Sequence, residues 1–280
     1  MEKQVTVTIT EQQKRLADAL RSFPKEPSDS LKKWPEGHAL YEAIQNLRNS
    51  PQKILDTSGR FLYSGVSTLK SGKFYLLGYN PGGDPDKHPT TLEKEISEWF
   101  KNEDYSFNAY LDEGWIQGKS KKPLKTGHAP LQKRVKMLLE ALDADPREVC
   151  ASNLFFARSE GGGGKEKLKY FNDFSVHKAL LEIIRPDFIL AFHNSGVCST
   201  YGLLLRDLSR MREMGDPIFI KKVGKVCLKL RVAKGLYWDK TVTMIGLPHL
   251  SRYGPEKYLE DLKKIINEAA RQRCDSDGYL

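Results

Sequence analysis

The sequence predicts an α/β fold: a three-layer α/β/α sandwich around a short, mainly parallel four-stranded sheet, with an N-terminal helical extension. Three observations predict it. Apolar runs of strand length recur from Lys73 onward, segments with helical apolar spacing separate them, and the apolar runs end in polar turns. Strands alternating with helices favour a parallel sheet covered on both faces, because right-handed crossovers lay the helices against it.

Residues 1–70 read as the extension, packed on a main domain of residues 71–280. Helical patterns at residues 10–23 and 39–48 flank a Pro/Ser/Lys-rich stretch at residues 24–35. Residues 74–77 (FYLL) are the first strand, broken by GYNPGG. Residues 84–128 are rich in turn formers and charge, with one helix predicted over 91–100. Pro130 then opens a helix whose Leu131, Val135, Leu138, Leu139 and Leu142 share one face. A second strand, residues 149–156, runs into Arg158, Ser159, Glu160 and four glycines at 161–164. Ser175 reads as the cap of a helix stopped by Pro186. Residues 188–192 are a buried-type strand ending in His193-Asn194-Ser195-Gly196. Residues 216–240 read as an inserted β-hairpin, with Val226, Leu228 and Leu230 alternating. Residues 242–247 form the last strand, followed by PHLSRYGP and an amphipathic helix over 255–270.

Composition narrows the function. A hydrophobic share of 39% with 29% charged residues fits a soluble globular protein. The net charge of +9 points to a polyanionic partner, nucleic acid first, although a merely soluble basic surface gives the same number. No apolar run has the length of a signal peptide core or a membrane span, so a cytoplasmic protein without membrane contact is expected; a monomer is expected too. Cys150, Cys198, Cys227 and Cys274 form no CxxC pair, which argues against a zinc ribbon or iron–sulfur cluster. Neither metal nor cofactor is expected. GYNPGG lacks the G-K-[ST] ending of a phosphate-binding P-loop, which weakens a nucleotide-hydrolase reading.

In open α/β sheets ligands bind beyond the carboxyl ends of the strands, and GYNPGG, the Asn153 region, HNSG and PHLSRYG all follow predicted strands. LLGYNPGG (76–83) resembles the G-x-N-P-G segment of the mismatch-specific and single-strand-selective branches of the uracil-DNA glycosylase superfamily. LPHLSRYGPEKY (247–258) is similar to that family's closing motif, and SNLFFARS (152–159) looks like its intervening strand. The resemblance covers approximately residues 72–270, in the same order and with similar spacing.

That resemblance implies a monofunctional DNA glycosylase acting on a flipped-out pyrimidine. Breaking an N-glycosidic bond leaves positive character on the sugar and negative charge on the departing base, so a water must be placed and an anion stabilised. Asn80 would hold the water, His249 would donate to O2 of the base, and Asp84 would assist as a carboxylate. Asn153 would read the base edge, its amide matching N3–H and O4 of uracil, or cytosine if rotated. Gly78, Gly82 and Gly83 would let the backbone approach the substrate, and Tyr79 and Phe155 would stack on the base. His193, Asn194, Ser251 and the backbone of Gly254 would contact DNA phosphate, while Leu250 and Arg252 would wedge into the gap left by the flipped nucleotide. The helix opening at Pro255 would present its N-terminus to that backbone. Gly161–Gly164 with Lys165, Lys167 and Lys169 reads as a basic loop that closes on DNA or is simply solvated.

Two departures bear on the substrate. No aromatic residue stands between Gly83 and Trp99, where uracil-specific members place a pocket floor, and the closing motif reads PHLSRY without the usual HPS order. A looser pocket suits a modified, bulky phage-type pyrimidine, with anti-phage defence as its biology. Excision of plain uracil for repair and non-catalytic sensing of modified DNA are the alternatives.

Overall fold

A computed structural model describes residues 9–22, 29–101, 104–116, 122–159, 174–223 and 226–277. The glycine and lysine loop of residues 161–169 lies outside the described residues. The longer helices are α1 (Glu11–Ser22), α2 (Pro35–Arg48), α3 (Leu92–Lys101), α4 (Pro130–Ala141), α5 (Ser175–Ile184), α6 (Thr200–Asp207) and α7 (Leu259–Asp277). The strands are β1 (Phe74–Gly78), β2 (Cys150–Asn153), β3 (Phe188–Phe192), β4 (Arg212–Glu213), β5 (Ile218–Val223), β6 (Val226–Tyr237) and β7 (Lys240–Leu247).

The chain divides into two compact units. One comprises Met1–Ser71, Asn80–Ala109 and Cys150–Arg185; the other comprises Gly72–Tyr79, Tyr110–Val149 and Pro186–Leu280. The first unit thus joins the segment up to Ser71 with two later stretches of chain.

In the first unit α1 packs on α3 and α2 packs on α5, burying Leu16, Leu20, Leu40, Ile44, Phe100 and Leu180. A reciprocal cap starts α1: Thr10 N–H donates to Gln13 Oε1 at 2.8 Å, and Gln13 N–H to Thr10 Oγ1 at 3.2 Å. The Gln13 amide then donates to the carbonyl oxygens of Ser67 (3.0 Å) and Leu69 (3.2 Å). This ties the N-terminal helix to the turn ahead of residue 72. β2 is flanked by residues 59–64, with Tyr63 N–H donating to Ala151 O at 2.8 Å and Ser152 Oγ to Phe61 O at 2.6 Å. α5 begins at Ser175 with Phe174 as its cap and no side-chain capping bond, so Ser175 is not the cap that the sequence suggests. Arg185 then ends the helix in the left-handed region at φ 42°.

The second unit holds the other six strands, and its sheet is mixed. β1, β3 and β7 run parallel, while β6 is antiparallel to β7, and β4 and β5 are antiparallel to β6. The expected short, mainly parallel four-stranded sheet is therefore too small and too uniform. The cause is local. Trp238 and Asp239 both take positive φ, 51° and 60°, as a two-residue type I′ turn requires, and this turn folds β6 back onto β7. Leu76, Leu190 and Ile245 align across the three parallel strands and are all fully buried. α6 packs on β3 and β7, and α7 packs on β7. Tyr201 of α6 lies over Gly246, where a Cβ would come within 2.6 Å of its ring.

Two more expectations change here. The segment after PHLSRYG is a 3-10 turn, Pro255–Lys257, and α7 starts only at Leu259. Buried Tyr258 takes φ −144° and separates the two, so no long helix presents its N-terminus at Pro255. α6 was also not expected, since residues 200–207 carry no turn or cap signal stronger than Ser199.

Candidate functional site

The parallel register sets the first group of site residues. Leu77, Ala191 and Gly246 align, so Gly78, Phe192 and Leu247 are the next row, and the residues beyond them leave the sheet together. The Tyr79 ring meets His193 edge-on at 5.0 Å between centroids. His193 lies 5.6 Å from His249, and Phe192 lies 6.0 Å from the same ring. Three of the predicted residues, Tyr79, His193 and His249, are thus gathered beyond the carboxyl ends of β1, β3 and β7 within one unit.

Ser251 defines the state of His249. Its backbone N–H donates to His249 Nδ1 at 3.2 Å, and its hydroxyl lies 2.8 Å from the same nitrogen. An amide N–H can only donate, so Nδ1 is the bare acceptor and the neutral ring carries its proton on Nε2. Burial, then His193, then Arg252 push the His249 pKa down to about 4. The imidazole is therefore a neutral N–H donor at physiological pH.

His193 is held in an uncommon conformation. Its φ is 95°, in a region that L residues enter at a cost on the order of 1–3 kcal/mol. Two backbone bonds hold it there: its N–H donates to Leu247 O at 3.0 Å, and its own carbonyl accepts from Tyr201 N–H at 3.3 Å. Its Nδ1 is buried with no hydrogen-bond partner among the described residues. Burial, then Arg252, lower its pKa. Burial raises that of Tyr79, which stays a neutral phenol.

In the other unit the loop after Tyr79 is strapped by residues 158 and 159. Asn80 Nδ2 donates to Pro81 O at 2.6 Å and to Ser159 Oγ at 3.2 Å. Ser159 N–H also donates to Pro81 O, and the Arg158 guanidinium donates to Gly82 O. With Nδ2 so engaged, Oδ1 of Asn80 accepts no bond among the described residues. Gly83 takes φ 101° and has His88 and Arg158 against it, so this position requires glycine; Gly82 stands in open space.

Asn153 closes β2, 3% exposed, and its Nδ2 donates to Tyr63 OH at 2.8 Å. The Arg60 guanidinium sits 5.2 Å over the Tyr63 ring and pairs with Glu95 at 3.7 Å. The phenol both donates and accepts, so either rotation of the amide keeps this bond.

Other predicted site residues have structural employment. Leu250 is fully buried and its carbonyl accepts from Arg134 at 2.8 Å, so it is a core residue in this conformation and not a projecting wedge. Asn194 spends both amide protons on Lys229 O (2.7 Å) and Gly246 O (2.8 Å), clamping β6 and β7 to the end of β3 and leaving no side-chain N–H for phosphate. Phe155 is buried in the first unit, 3% exposed, with no open face for a base. Asp84 caps the turn Pro85–Lys87 by accepting from Asp86 N–H at 3.0 Å. Gly254 takes ordinary φ −72° and caps the turn that replaces the expected helix start. Ser251 and Arg252 are exposed beside His249.

Sequence reasoning passes over Tyr63 and Ser159, which bond Asn153 and Asn80. Ser159 lay inside a quoted motif, but nothing in its spacing announced a bond to residue 80. Among the described residues no three His, Cys, Asp or Glu side chains are grouped to hold a metal ion, and no helix is long and apolar enough to cross a membrane. No family model matches the sequence, and no curated protein does.

Proposed function

We propose that the chain is a monofunctional DNA glycosylase that hydrolyses the N-glycosidic bond of a flipped-out pyrimidine and leaves an abasic site. The observation that carries this reading is the fixed tautomer of His249: Ser251 occupies Nδ1 and leaves Nε2–H as a neutral donor beyond the carboxyl end of β7. Such a donor stabilises the O2 of a departing base anion without having to lose a proton itself, and a buried setting strengthens it. Asn80 supports the same chemistry, its Oδ1 able to accept a hydrogen bond from a water and turn the oxygen lone pair toward C1′. Asn153, pinned by Tyr63, supplies an amide edge of the kind that reads a pyrimidine. The resemblance of LLGYNPGG, SNLFFARS and PHLSRYG to the uracil-DNA glycosylase superfamily supports the reading, which carries with it that superfamily's three-layer arrangement.

A modified, bulky pyrimidine is the favoured substrate over plain uracil, because no aromatic residue follows Gly83 before Trp99 to floor a tight pocket. The test is a metal-free cleavage assay across DNAs carrying uracil, mismatches or phage-type modified pyrimidines, scoring abasic sites by alkali. Abasic sites from one class, lost in Asn80→Ala, would support the reading and name the base; a phage-type base points to defence and uracil to repair. Tight DNA binding with no abasic sites on any substrate would replace it with a non-catalytic sensor of modified DNA.

A further inference from the structure

The β5–β6 hairpin is unusual in charge. Residues 217–238 contain six Lys or Arg and no Asp or Glu. Within it, Arg231 is neutralised: its guanidinium pairs with Glu213 through Nε at 2.7 Å and Nη2 at 2.8 Å, and lies 4.5 Å over the Tyr201 ring. Lys221, Lys222 and Lys229 are exposed, and no ion pair holds them among the described residues. The register then sorts the side chains by face. Phe219 stands opposite Lys229, and Lys222 opposite Cys227. A bulge between Phe219 and Lys221 brings this about, since residues 219 and 222 would otherwise point to opposite sides of the ribbon. Leu228 and Leu230 turn to the other face and are buried. One face therefore carries an aromatic ring, 59% exposed, with one unpaired lysine across from it and another along its own strand.

We propose that this face binds an unpaired stretch of DNA strand, with Lys222 and Lys229 on phosphates and Phe219 stacked on a base. Exposed rings interleaved with lysines on a sheet surface make a stacking platform that tracks a single strand; for duplex phosphates the lysines alone would suffice. The face is continuous with the histidine group, because Lys229 O accepts from Asn194 Nδ2 at 2.7 Å and Arg231 Nη1 donates to Asn194 O at 3.4 Å, beside His193. A strand lying on the hairpin is thereby led toward the carboxyl ends of β1, β3 and β7, where Tyr79, His193 and His249 stand. This inference rests on the reading of the ligand as DNA.

The test uses the full chain, a fluorescein-labelled oligothymidylate and a blunt duplex, with affinities measured across a salt series. Phe219→Ala lowers oligothymidylate affinity about tenfold, the loss of one stacked base, and leaves duplex affinity within about twofold. Lys222→Ala with Lys229→Ala lowers the slope of log K against log salt on the single strand by about 1.4, at about 0.7 per phosphate. All three positions are exposed, so an unchanged melting temperature is the control. Unchanged single-strand affinity and slope in both variants, or equal losses on single strand and duplex with Phe219→Ala, overturn the proposal. Base excision by the same variants at saturating DNA separates the two readings. Excision that persists while binding is unchanged removes only the hairpin. Lost single-strand binding by a protein that excises nothing removes only the glycosylase.

Discussion

Ser251 holds His249 by Nδ1, with the backbone N–H at 3.2 Å and the hydroxyl at 2.8 Å. Because one of the two bonds comes from the backbone, truncating the serine removes only half of the arrangement. Ser251→Ala should slow excision only about fivefold, the value of one hydrogen bond near 1 kcal/mol. His249→Ala removes the donor and should cost about 10²–10³-fold in kcat, with DNA affinity nearly unchanged. Single-turnover rates and equilibrium binding check this. A parallel fall in rate and affinity for His249→Ala would remove its assigned role.

The same group makes a statement about pH. Burial, His193 and Arg252 hold the His249 pKa at about 4, so the neutral ring persists well into acid. The kcat profile should stay flat from pH 7 down to about pH 5 and change only as the ring protonates near 4. A rate that rises as pH falls through 6 to 7, with the rise lost in His249→Ala, would mean that the imidazolium is the working form.

Much of this was legible in the sequence because the parallel strands are short, apolar and bounded by turn residues. β1, β3 and β7, and the three polar turns beyond them, follow from that pattern. What escaped it depended on geometry that no local pattern carries. The Trp238-Asp239 turn has neither Gly nor Asn to signal positive φ, so the antiparallel half of the sheet was underestimated. Leu250 sits where a wedge residue would, but whether a leucine after a histidine faces solvent or core is decided by Arg134 and the rest of the packing. Asn194 looked like a ligand-facing amide and proved to be a clamp, because its two acceptors come from residues 35 and 52 positions away.

Ser159 is a positioning residue for Asn80, through the Oγ–Nδ2 bond at 3.2 Å. Ser159→Ala should lower kcat about fivefold with KM unchanged, since the amide loses one of its two acceptors and keeps only Pro81 O, while base reading stays intact. Ser159→Thr, which keeps the hydroxyl, should restore most of the rate. A KM effect equal to the kcat effect, or no rescue by threonine, would reduce Ser159 to a packing role.

Leu250 and Arg252 separate core from surface. Leu250→Ala should destabilise the fold by about 2–5 kcal/mol through the cavity it leaves, with the ratio of duplex to single-strand affinity unchanged. Arg252→Ala leaves stability alone and should weaken action on duplex more than on single strands. Denaturant melts together with paired activity assays decide it. A selective duplex defect in Leu250→Ala at full stability would mean that Leu250 leaves the core to act as the wedge.

Gly82 and Gly83 make a matched pair. Nothing lies within 4 Å of a Cβ built on Gly82, whereas Gly83 takes φ 101° with His88 at 3.3 Å. Gly83→Ala should cost about 1–2 kcal/mol of stability, and Gly82→Ala should be neutral in thermal melts. If Gly82→Ala nonetheless abolishes activity without touching stability, the open space above it is where substrate lies. Equal destabilisation by both would mean that the strap from Arg158 and Ser159 does not hold this loop as described.

His177 determines how the fold responds to acid. It is 1% exposed, its ring is stacked on Phe156 at 5.0 Å, and Nε2 donates to Leu154 O at 3.0 Å. Burial lowers its pKa to about 4. The unfolded chain takes up this proton near pH 6.5 and the folded chain only near 4, so U binds more protons between those values and stability falls as pH drops through that window. Below pH 4 both states are protonated and the loss levels off. The shift corresponds to a contribution on the order of 3 kcal/mol, with His249 adding a term of the same sign. His177→Phe keeps the ring stack but orphans the Leu154 carbonyl, costing about 1–2 kcal/mol at pH 7. In exchange, its urea midpoint should decline less between pH 6.5 and 4 than that of the parent chain. Parallel acid declines in the two proteins would show that His177 is not the group that titrates.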